Sequence, residues 1–323
     1  MILGAVLYVY KGEWGLPSID FDCLRTLCAV KFTRAPIEIN TSGNPLWSGV
    51  GKLPYLKIGP QKLVGYRKIN EFLKSEGFSL NLHLNTKQKH LSTAYDNFVF
   101  QNLNAYYFYY MYGNPSNFDT TRALYSKRTP FPFNFYYPGK YFQEAQDVIE
   151  VFSDFHIYEK IEDHDTEKIL LNAKCCINFL SKKLGNQIWF FGDHYSELDA
   201  IVYSYISIIF HVSLPHNPLR DHIKECKNLV VFINRITKDI FRDEGYMTKS
   251  NIATSPKTNS GSNLTKSEHE FADNKTKTQI LAALGACVAM GTYAAYTGLL
   301  KLSFDRDYQQ EIPIEEEDEV GSE

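Results

Sequence analysis

An uncharged stretch near the C-terminus constrains this chain more than any other feature of its sequence. Residues 280–300 read ILAALGACVAMGTYAAYTGLL and contain neither a charged residue nor a proline. A helix of this length, at 1.5 Å per residue, spans roughly 30 Å, the thickness of the hydrocarbon core of a bilayer. The alternative is a buried helix of a soluble core, but a polar segment precedes the stretch and an acidic one follows it. The sequence therefore favours a transmembrane helix.

Charge is distributed unevenly about this stretch. Residues 1–279 carry a net +4 and residues 303–323 carry −8, although the whole chain has a formal net charge of only −3. Lysines are denser on the N-terminal flank, so the positive-inside rule keeps the body in the cytosol and sends the acidic tail across the bilayer. The positive body suits an anionic membrane surface, but so mild a charge predicts no nucleic-acid partner. We expect a tail-anchored protein, with its anchor over residues 280–301 and an acidic tail over residues 302–323.

The anchor is only moderately apolar, because six Ala and three Gly stand among its 21 uncharged residues. A short, modestly hydrophobic anchor between lysines is typical of the mitochondrial outer membrane rather than of the secretory route. Small residues four apart, at Gly285 with Ala289 and at Gly291 with Ala295, would let two helices approach closely. The alternative is that these Ala and Gly residues only keep the hydrophobicity of the anchor low and do not pack against another helix. The anchor residues singled out are Ile280, Gly285, Gly291, Gly298 and Leu300.

The N-terminal part of the body alternates strand-like and helix-like patterns. Its first apolar run is rich in β-branched and aromatic residues, which is typical of a strand buried on both faces of a parallel or mixed sheet. Ser18 fits the N-cap of the first helix. The order βαβ and then ββα is complete in under 80 residues. The predicted elements are strands over residues 2–10, 35–40, 55–58 and 62–64, and helices from Ser18 onward and over residues 67–75.

The pattern beyond residue 80 becomes helical and then polar. Apolar residues recur every three or four positions, as expected for helices that pack against one another. Residues 246–279 are rich in Ser, Thr, Asn and Lys, so we expect a disordered linker. The six cysteines form no C-x-x-C pair, so we expect no metal site. The helices are predicted over residues 83–112, 139–158, 165–184, 196–212 and 222–241.

Two short motifs carry a resemblance to glutathione transferases. Residues 51–56, GKLPYL, resemble the segment of thioredoxin-like domains in which the proline, here Pro54, is cis. Ser196 and Asp199 have the spacing of a capping box at the start of a buried helix, a folding element of that superfamily. The resemblance implies an α+β fold, with a thioredoxin-like N-terminal domain over residues 1–78 and an all-α, glutathione-transferase-like C-terminal domain over residues 79–245, followed by the transmembrane helix.

Glutathione chemistry needs residues that this sequence lacks. The resemblance calls for a Glu/Gln–Ser pair after the fourth strand to hold the γ-glutamyl group, but Gly65 and Tyr66 stand there. It also calls for a hydroxyl or thiol near the first helix. Tyr8, Tyr10 and Ser18 are close by, but two fit strand positions and one fits a helix cap. We therefore expect no enzyme, no catalytic residue and no cofactor, since a fold does not imply a function.

Three further segments closely resemble the metaxin family across most of residues 1–245. They are GLPSID at 15–20, FPFNFYYPG at 131–139 and WFFGD at 189–193. The resemblance implies a subunit of the mitochondrial outer-membrane sorting and assembly machinery, which assists protein import and β-barrel insertion. Implied partners are a second metaxin, a β-barrel assembly core subunit, and contact-site and motor-adaptor proteins. The alternatives are a membrane-anchored glutathione-dependent transferase and an adaptor for mitochondrial transport.

Aromatic residues concentrate in two runs of the helical part. Core packing explains any single ring, but one face of a helix cannot bury all the rings of the run NAYYFYYMYG at 104–113. Tyrosine suits interfaces because its apolar ring ends in a polar tip. We therefore predict that part of these runs forms a partner surface. Its candidate residues are Tyr106, Tyr107, Tyr109, Tyr110, Phe131, Phe133 and Phe135.

Overall fold

The computed structural model describes residues 4–129, 133–153 and 163–241. The predicted linker, anchor and acidic tail all lie outside these ranges. No helix within the ranges is long and apolar enough to cross a membrane.

A mixed four-stranded sheet forms the N-terminal part, as the sequence predicts. Its strand order is β2-β1-β3-β4, with β1 parallel to β2 and antiparallel to β3, and with β3 antiparallel to β4. Leu7 and Leu56 are partners in the sheet and are fully buried in the core. The strands are β1 (Val6–Tyr8), β2 (Glu38–Asn40), β3 (Tyr55–Ile58) and β4 (Gln61–Val64).

Helices α1 (Phe21–Thr33) and α2 (Tyr66–Ser75) belong to this part of the fold. The prediction of Ser18 as the cap of α1 is wrong. The N-cap is Asp20, whose carboxylate accepts a hydrogen bond of 2.9 Å from the Cys23 N–H. Ser18 lies two residues earlier and is fully buried. The second strand is also shorter than predicted, because Ala35 still donates its N–H to the Val30 carbonyl at the end of α1.

Seven described helices follow, two more than the sequence pattern predicts. The prediction missed α4, which Asn114 caps and Pro115 begins. The helix predicted over residues 222–241 is two helices, α8 and α9, that meet at Cys226 in a non-helical conformation. The helices are α3 (Thr86–Phe108), α4 (Pro115–Ser126), α5 (Phe133–Ser153), α6 (Asp163–Leu184), α7 (Glu197–His211), α8 (Pro218–Glu225) and α9 (Lys227–Asp239).

Helix α7 lies at the centre of the helical part. Residues 198–209 of this helix are all buried and mostly apolar, and the helix packs against α1, α3, α8 and α9. A helix of this composition is stable only when it is covered on all sides. Its contact with α1 joins the helical part to the N-terminal part that contains the sheet.

Candidate functional site

A small cavity lies at the junction between the sheet and the helices. Its volume is about 110 Å³, whereas sites for small organic ligands typically measure roughly 300–1,000 Å³. The cavity is lined by Asp20, Phe21, Asp22, Lys52, Leu53, Tyr107, Phe108, Tyr112, Tyr141 and Glu144.

Pro54 directly follows Leu53, which lines the cavity. The Leu53–Pro54 peptide bond is cis. The Pro54 carbonyl accepts a hydrogen bond of 2.9 Å from the Gly65 N–H, which ties the start of β3 to the start of α2. The peptide bond before Pro54 is therefore cis, as the resemblance to thioredoxin-like domains implies.

The first turn of α2 holds an aromatic ring where glutathione transferases hold polar anchors. Gly65 offers no side chain, and Tyr66 is buried. The guanidinium of Arg25 lies 3.9 Å from the centre of the Tyr66 ring, and its Nη2 is 2.6 Å from Oδ1 of Asp96. The sequence prediction missed this stack and ion pair. A charged residue among the apolar positions 23, 24, 27 and 28 of α1 was the signal that could have indicated them.

Carboxylates crowd the N-terminal end of α1. Burial, and then the neighbouring Asp22 carboxylate, raise the pKa of Asp20 to about 7. Burial also raises the pKa of Asp22, although Arg25 and Lys52 oppose the shift. A helix N-terminus ordinarily favours an anion, but here the chain's own Asp20 already caps it. A glutathione thiolate placed at this end of α1 would meet two carboxyl groups.

The three residues near α1 that carry a hydroxyl group have different surroundings. The Tyr10 hydroxyl forms a short hydrogen bond with the Tyr141 hydroxyl, and burial raises the pKa of Tyr10. Ser18 is fully buried. Tyr8 is half-buried and stacks on Tyr55 at 4.5 Å between ring centres. Tyr8 lies in β1 as predicted, whereas Tyr10 lies beyond the end of that strand and Ser18 is not the helix cap that the sequence predicted.

The predicted aromatic partner surface is wrong for three of its residues. Tyr106, Tyr107 and Tyr110 are buried. The Tyr106 hydroxyl donates to Oδ1 of Asn217 at 3.2 Å and accepts from the Leu219 N–H at 3.1 Å. The prediction assumed one buried face, but α3 and the π-helical turn after it, Tyr109–Gly113, pack against α4, α5, α6 and α7 and so bury rings on several sides.

The other aromatic candidates stay predictions. Tyr109 and Phe133 are half-buried, so part of each ring reaches solvent. Phe131 and the side chain of Phe135 lie outside the part of the chain that the structure describes.

Ser196 and Asp199 form a capping box at the start of α7. The Asp199 carboxylate accepts hydrogen bonds from the Ser196 N–H at 2.7 Å, the Ser196 hydroxyl at 2.7 Å and the Phe190 N–H at 3.0 Å. Burial nevertheless raises the pKa of Asp199 to about 6. The box fixes the loop before α7, in which Trp189 and Gly192 pair by backbone hydrogen bonds. Its role is to hold the fold.

Family models match the two parts of the chain separately. Residues 23–142 match the model of an outer mitochondrial membrane transport complex protein. Residues 173–236 match the C-terminal domain of glutathione S-transferases. The second match and the mixed sheet together identify a glutathione-transferase-like fold with a helical C-terminal domain.

Similar proteins of known sequence cover nearly the whole chain. The metaxin-1 homolog of Drosophila melanogaster is 58% identical, over 93% of this chain and 91% of that protein. Metaxin-1 of Macaca fascicularis is 29% identical, over 92% and 91%. Among solved structures, the β-etherase LigF of Sphingobium is 12% identical with a TM-score of 0.48, over 75% of this chain and 100% of that one. That structural likeness is too low to bear on activity, but the sequence relatives show that this chain belongs to the metaxin family.

Proposed function

We propose that this chain is a non-enzymatic subunit of the mitochondrial outer-membrane sorting and assembly machinery, where it assists protein import and β-barrel insertion. Family membership and the match to an outer-membrane transport complex protein support this function. The proposal that the chain is not an enzyme rests on two side chains near the junction between the sheet and the helices. The Tyr66 ring lies under Arg25, and the Asp20 carboxylate caps α1, where a glutathione transferase needs ligand anchors and a free helix end.

The proposed topology places the two folded parts on the cytosolic side of the outer membrane. They are a thioredoxin-like domain over residues 1–78 and a helical domain over residues 79–245. The linker over residues 246–279 joins them to the anchor over residues 280–301, and the acidic tail then lies in the intermembrane space. Alkaline extraction and protease protection test this topology. Release of the protein by alkali would reject the anchor.

The proposed partners are a second metaxin and a β-barrel assembly core subunit, with contact-site and motor-adaptor proteins as further candidates. Tyr109, Phe131, Phe133 and Phe135 are the aromatic residues that we propose for such contacts. Purification of the full chain from mild detergent, with its partners identified by mass spectrometry, tests the assignment. We expect the β-barrel assembly subunit to be recovered, and its repeated absence beside an intact second metaxin would contradict the proposal.

Two variants make this experiment specific to surfaces. Tyr109→Ser in the π-helical turn should lower recovery of a partner without lowering the melting temperature by more than a few degrees. The matched control is Leu171→Ser, which changes an exposed side chain on α6.

In the anchor, Gly291→Leu should weaken association if the small residues pack against a partner helix. Unchanged recovery would show that they serve only to moderate hydrophobicity.

The enzymatic alternative has its own test. The full chain in detergent should not conjugate glutathione to a generic electrophile above the uncatalysed rate. A rate that is proportional to protein concentration, and that Tyr66→Ala alters, would establish a glutathione-dependent transferase. That result would leave the partner assignment to be judged separately.

A further inference from the structure

A short 3₁₀ turn, Pro45–Ser48, exposes two large apolar side chains, Leu46 and Trp47, while the polar side chain of Ser48 is buried. Asn44 and Ser48 are buried, whereas Leu46, Trp47 and Val50 are 43%, 57% and 60% exposed. Folded proteins ordinarily arrange a surface turn the other way round, and grouped exposed apolar side chains mark interaction sites. The turn therefore presents an apolar tip to solvent.

Hydrogen bonds hold the turn in this arrangement. The Asn44 side chain accepts from the Leu46 N–H at 3.0 Å. The Ser48 hydroxyl donates to the Pro45 carbonyl at 2.7 Å and accepts from the Lys52 N–H at 3.1 Å. Because the buried polar groups fix the backbone, the exposure of Trp47 is built into the fold.

Two lysines stand beside this tip. Lys57 on β3 and Lys62 on β4 are direct partners across the antiparallel pair, and both are exposed. Like charges that face each other across a strand pair are destabilising. The Lys62 amine also donates a hydrogen bond to the Trp47 carbonyl, so the charge lies at the base of the apolar tip. Neither lysine forms an ion pair within residues 4–129, 133–153 and 163–241, and Glu38 on the same sheet face lies two strands away from Lys57.

We propose that this apolar–basic patch, Leu46, Trp47, Val50, Lys57 and Lys62, contacts an anionic lipid surface. Tryptophan and short aliphatic side chains enter the interfacial region of a bilayer, where the indole N–H finds polar partners. The two amines would meet the headgroup phosphates, which removes the repulsion between them. Anionic lipid complements both halves of the patch at once, and this favours it over an acidic protein surface, which would cover the lysines but not the tip.

The contact would orient the body on the membrane. It does not require the proposed anchor, but such an anchor would hold the patch within reach of the same surface. Each lysine near an anionic leaflet strengthens the contact about fivefold. Because the attraction is electrostatic, added salt should weaken it.

Tryptophan fluorescence of the full chain reconstituted in vesicles tests the proposal. Trp14→Phe with Trp189→Phe leaves Trp47 as the only tryptophan, and a melting curve checks that this variant folds. The vesicles contain phosphatidylcholine alone or with phosphatidylserine, each with a lipid that carries a shallow quencher. We expect strong quenching of Trp47 only with phosphatidylserine. Lys57→Glu with Lys62→Glu should lower the equilibrium constant for docking by at least about 25-fold, whereas Lys87→Glu with Lys89→Glu, on the exposed start of α3, should not lower it.

Lysine acylation of the unmutated chain gives an independent readout. Lys57 and Lys62 should become less reactive in the phosphatidylserine vesicles than in detergent, while Lys87 should not change. The proposal is overturned if Trp47 stays unquenched and both lysines stay reactive. It is also overturned if quenching is equal in both kinds of vesicle, or if Trp47 becomes shielded only when outer-membrane proteins are added, which would assign the patch to a protein.

Discussion

The first turns of α2 and α7 differ in what they have kept of a glutathione-transferase-like fold. At α7, the Asp199 carboxylate accepts three hydrogen bonds and closes a complete capping box. At α2, no side chain caps the helix, and Tyr66 turns inward beneath Arg25. The box stabilises the fold whether or not a ligand binds, whereas a ligand anchor has no role without its ligand. The comparison shows that α7 keeps the capping box of this fold, whereas the first turn of α2 holds a buried aromatic ring.

The buried Tyr66 ring helps to join the two parts of the body. Arg25 of α1, stacked on Tyr66 of α2, forms its ion pair with Asp96 of α3. A second ion pair starts from α2, where the Lys74 amine lies 2.7 Å from the carboxylate of Glu197, the first residue of α7. These side chains tie the N-terminal part of the body to its helical part.

Asp199→Ala should have the largest effect on stability, because it leaves the Ser196 and Phe190 N–H groups buried without an acceptor. We expect a loss of about 3–5 kcal/mol in the free energy of unfolding, measured by urea denaturation. Asp193→Ala, at an exposed position six residues earlier, is the control and should cost less than about 0.5 kcal/mol. Similar costs for both variants would mean that the capping box does not hold the fold.

Tyr66→Ala should cost about 3 kcal/mol, because it empties a buried ring position and exposes one face of Arg25. Tyr66→Phe is the matched control. The Tyr66 hydroxyl is buried and makes no hydrogen bond within the described part of the chain, so its removal should not lower the free energy of unfolding and should raise it by about 1 kcal/mol. If both variants are equally mild, the ring does not join the two parts, and the contrast between α2 and α7 fails.

Asp20→Asn should change how stability depends on pH. The folded pKa of about 7 lies above the ordinary value near 3.9, so the folded state binds more protons between these values. Stability therefore falls as the pH rises from about 4 to 7, and this contribution stays lost above pH 7. Asparagine caps a helix as well as aspartate does. Because the two pKa values differ by about 3, this contribution is at most about 4 kcal/mol, and the variant should recover up to that amount at pH 8 relative to pH 4, compared with the unmutated chain.

Thermal unfolding across this pH range measures the effect. Asp199 has a pKa of about 6 and contributes to the same window, so the difference between the two chains isolates Asp20. Asp119→Asn, at an exposed position on α4, should leave the pH profile unchanged. A profile that Asp20→Asn does not alter would mean that water already solvates this carboxylate.

Arg67→Ala should have the smallest effect. Arg67 follows Tyr66 directly, but its side chain is exposed and lies 3.9 Å from Glu71 in a surface ion pair. Such pairs contribute about 0–1 kcal/mol, and we expect a change below about 0.5 kcal/mol in urea denaturation. A larger cost would show that the outer side of this turn also supports the body.

The fold was accessible from sequence because its signals are local. The segment around Pro54 and the spacing of Ser196 and Asp199 each span a few residues, and they indicated the glutathione-transferase-like layout without knowledge of any distant contact. Ser18 and Asp20 show where local signals run out. Both residue types cap helices well. Which of them accepts a hydrogen bond from the first turn of α1 depends on the residue at which the backbone becomes helical, and the sequence pattern does not give that residue.

The site was less accessible, because it depends on contacts between distant elements. The sequence revealed that Gly65 and Tyr66 lack polar anchors, but the ring, Arg25 and Asp96 come from three different helices. The tyrosines of α3 failed as a surface for a similar reason. Periodicity describes one buried face, whereas α3 is enclosed by several helices. Packing of that kind is a property of the assembled fold.

The central claim, that this body has filled its glutathione site, is tested most directly by the melting temperature of the full chain in detergent as reduced glutathione is titrated. Dithiothreitol at the same concentrations controls for the thiol. A ligand present at a hundredfold excess over its Kd stabilises a protein by about 2.7 kcal/mol. We predict no rise in the melting temperature beyond the dithiothreitol control. A saturable rise with glutathione, abolished by Tyr66→Ala but not by Tyr66→Phe, would contradict the claim.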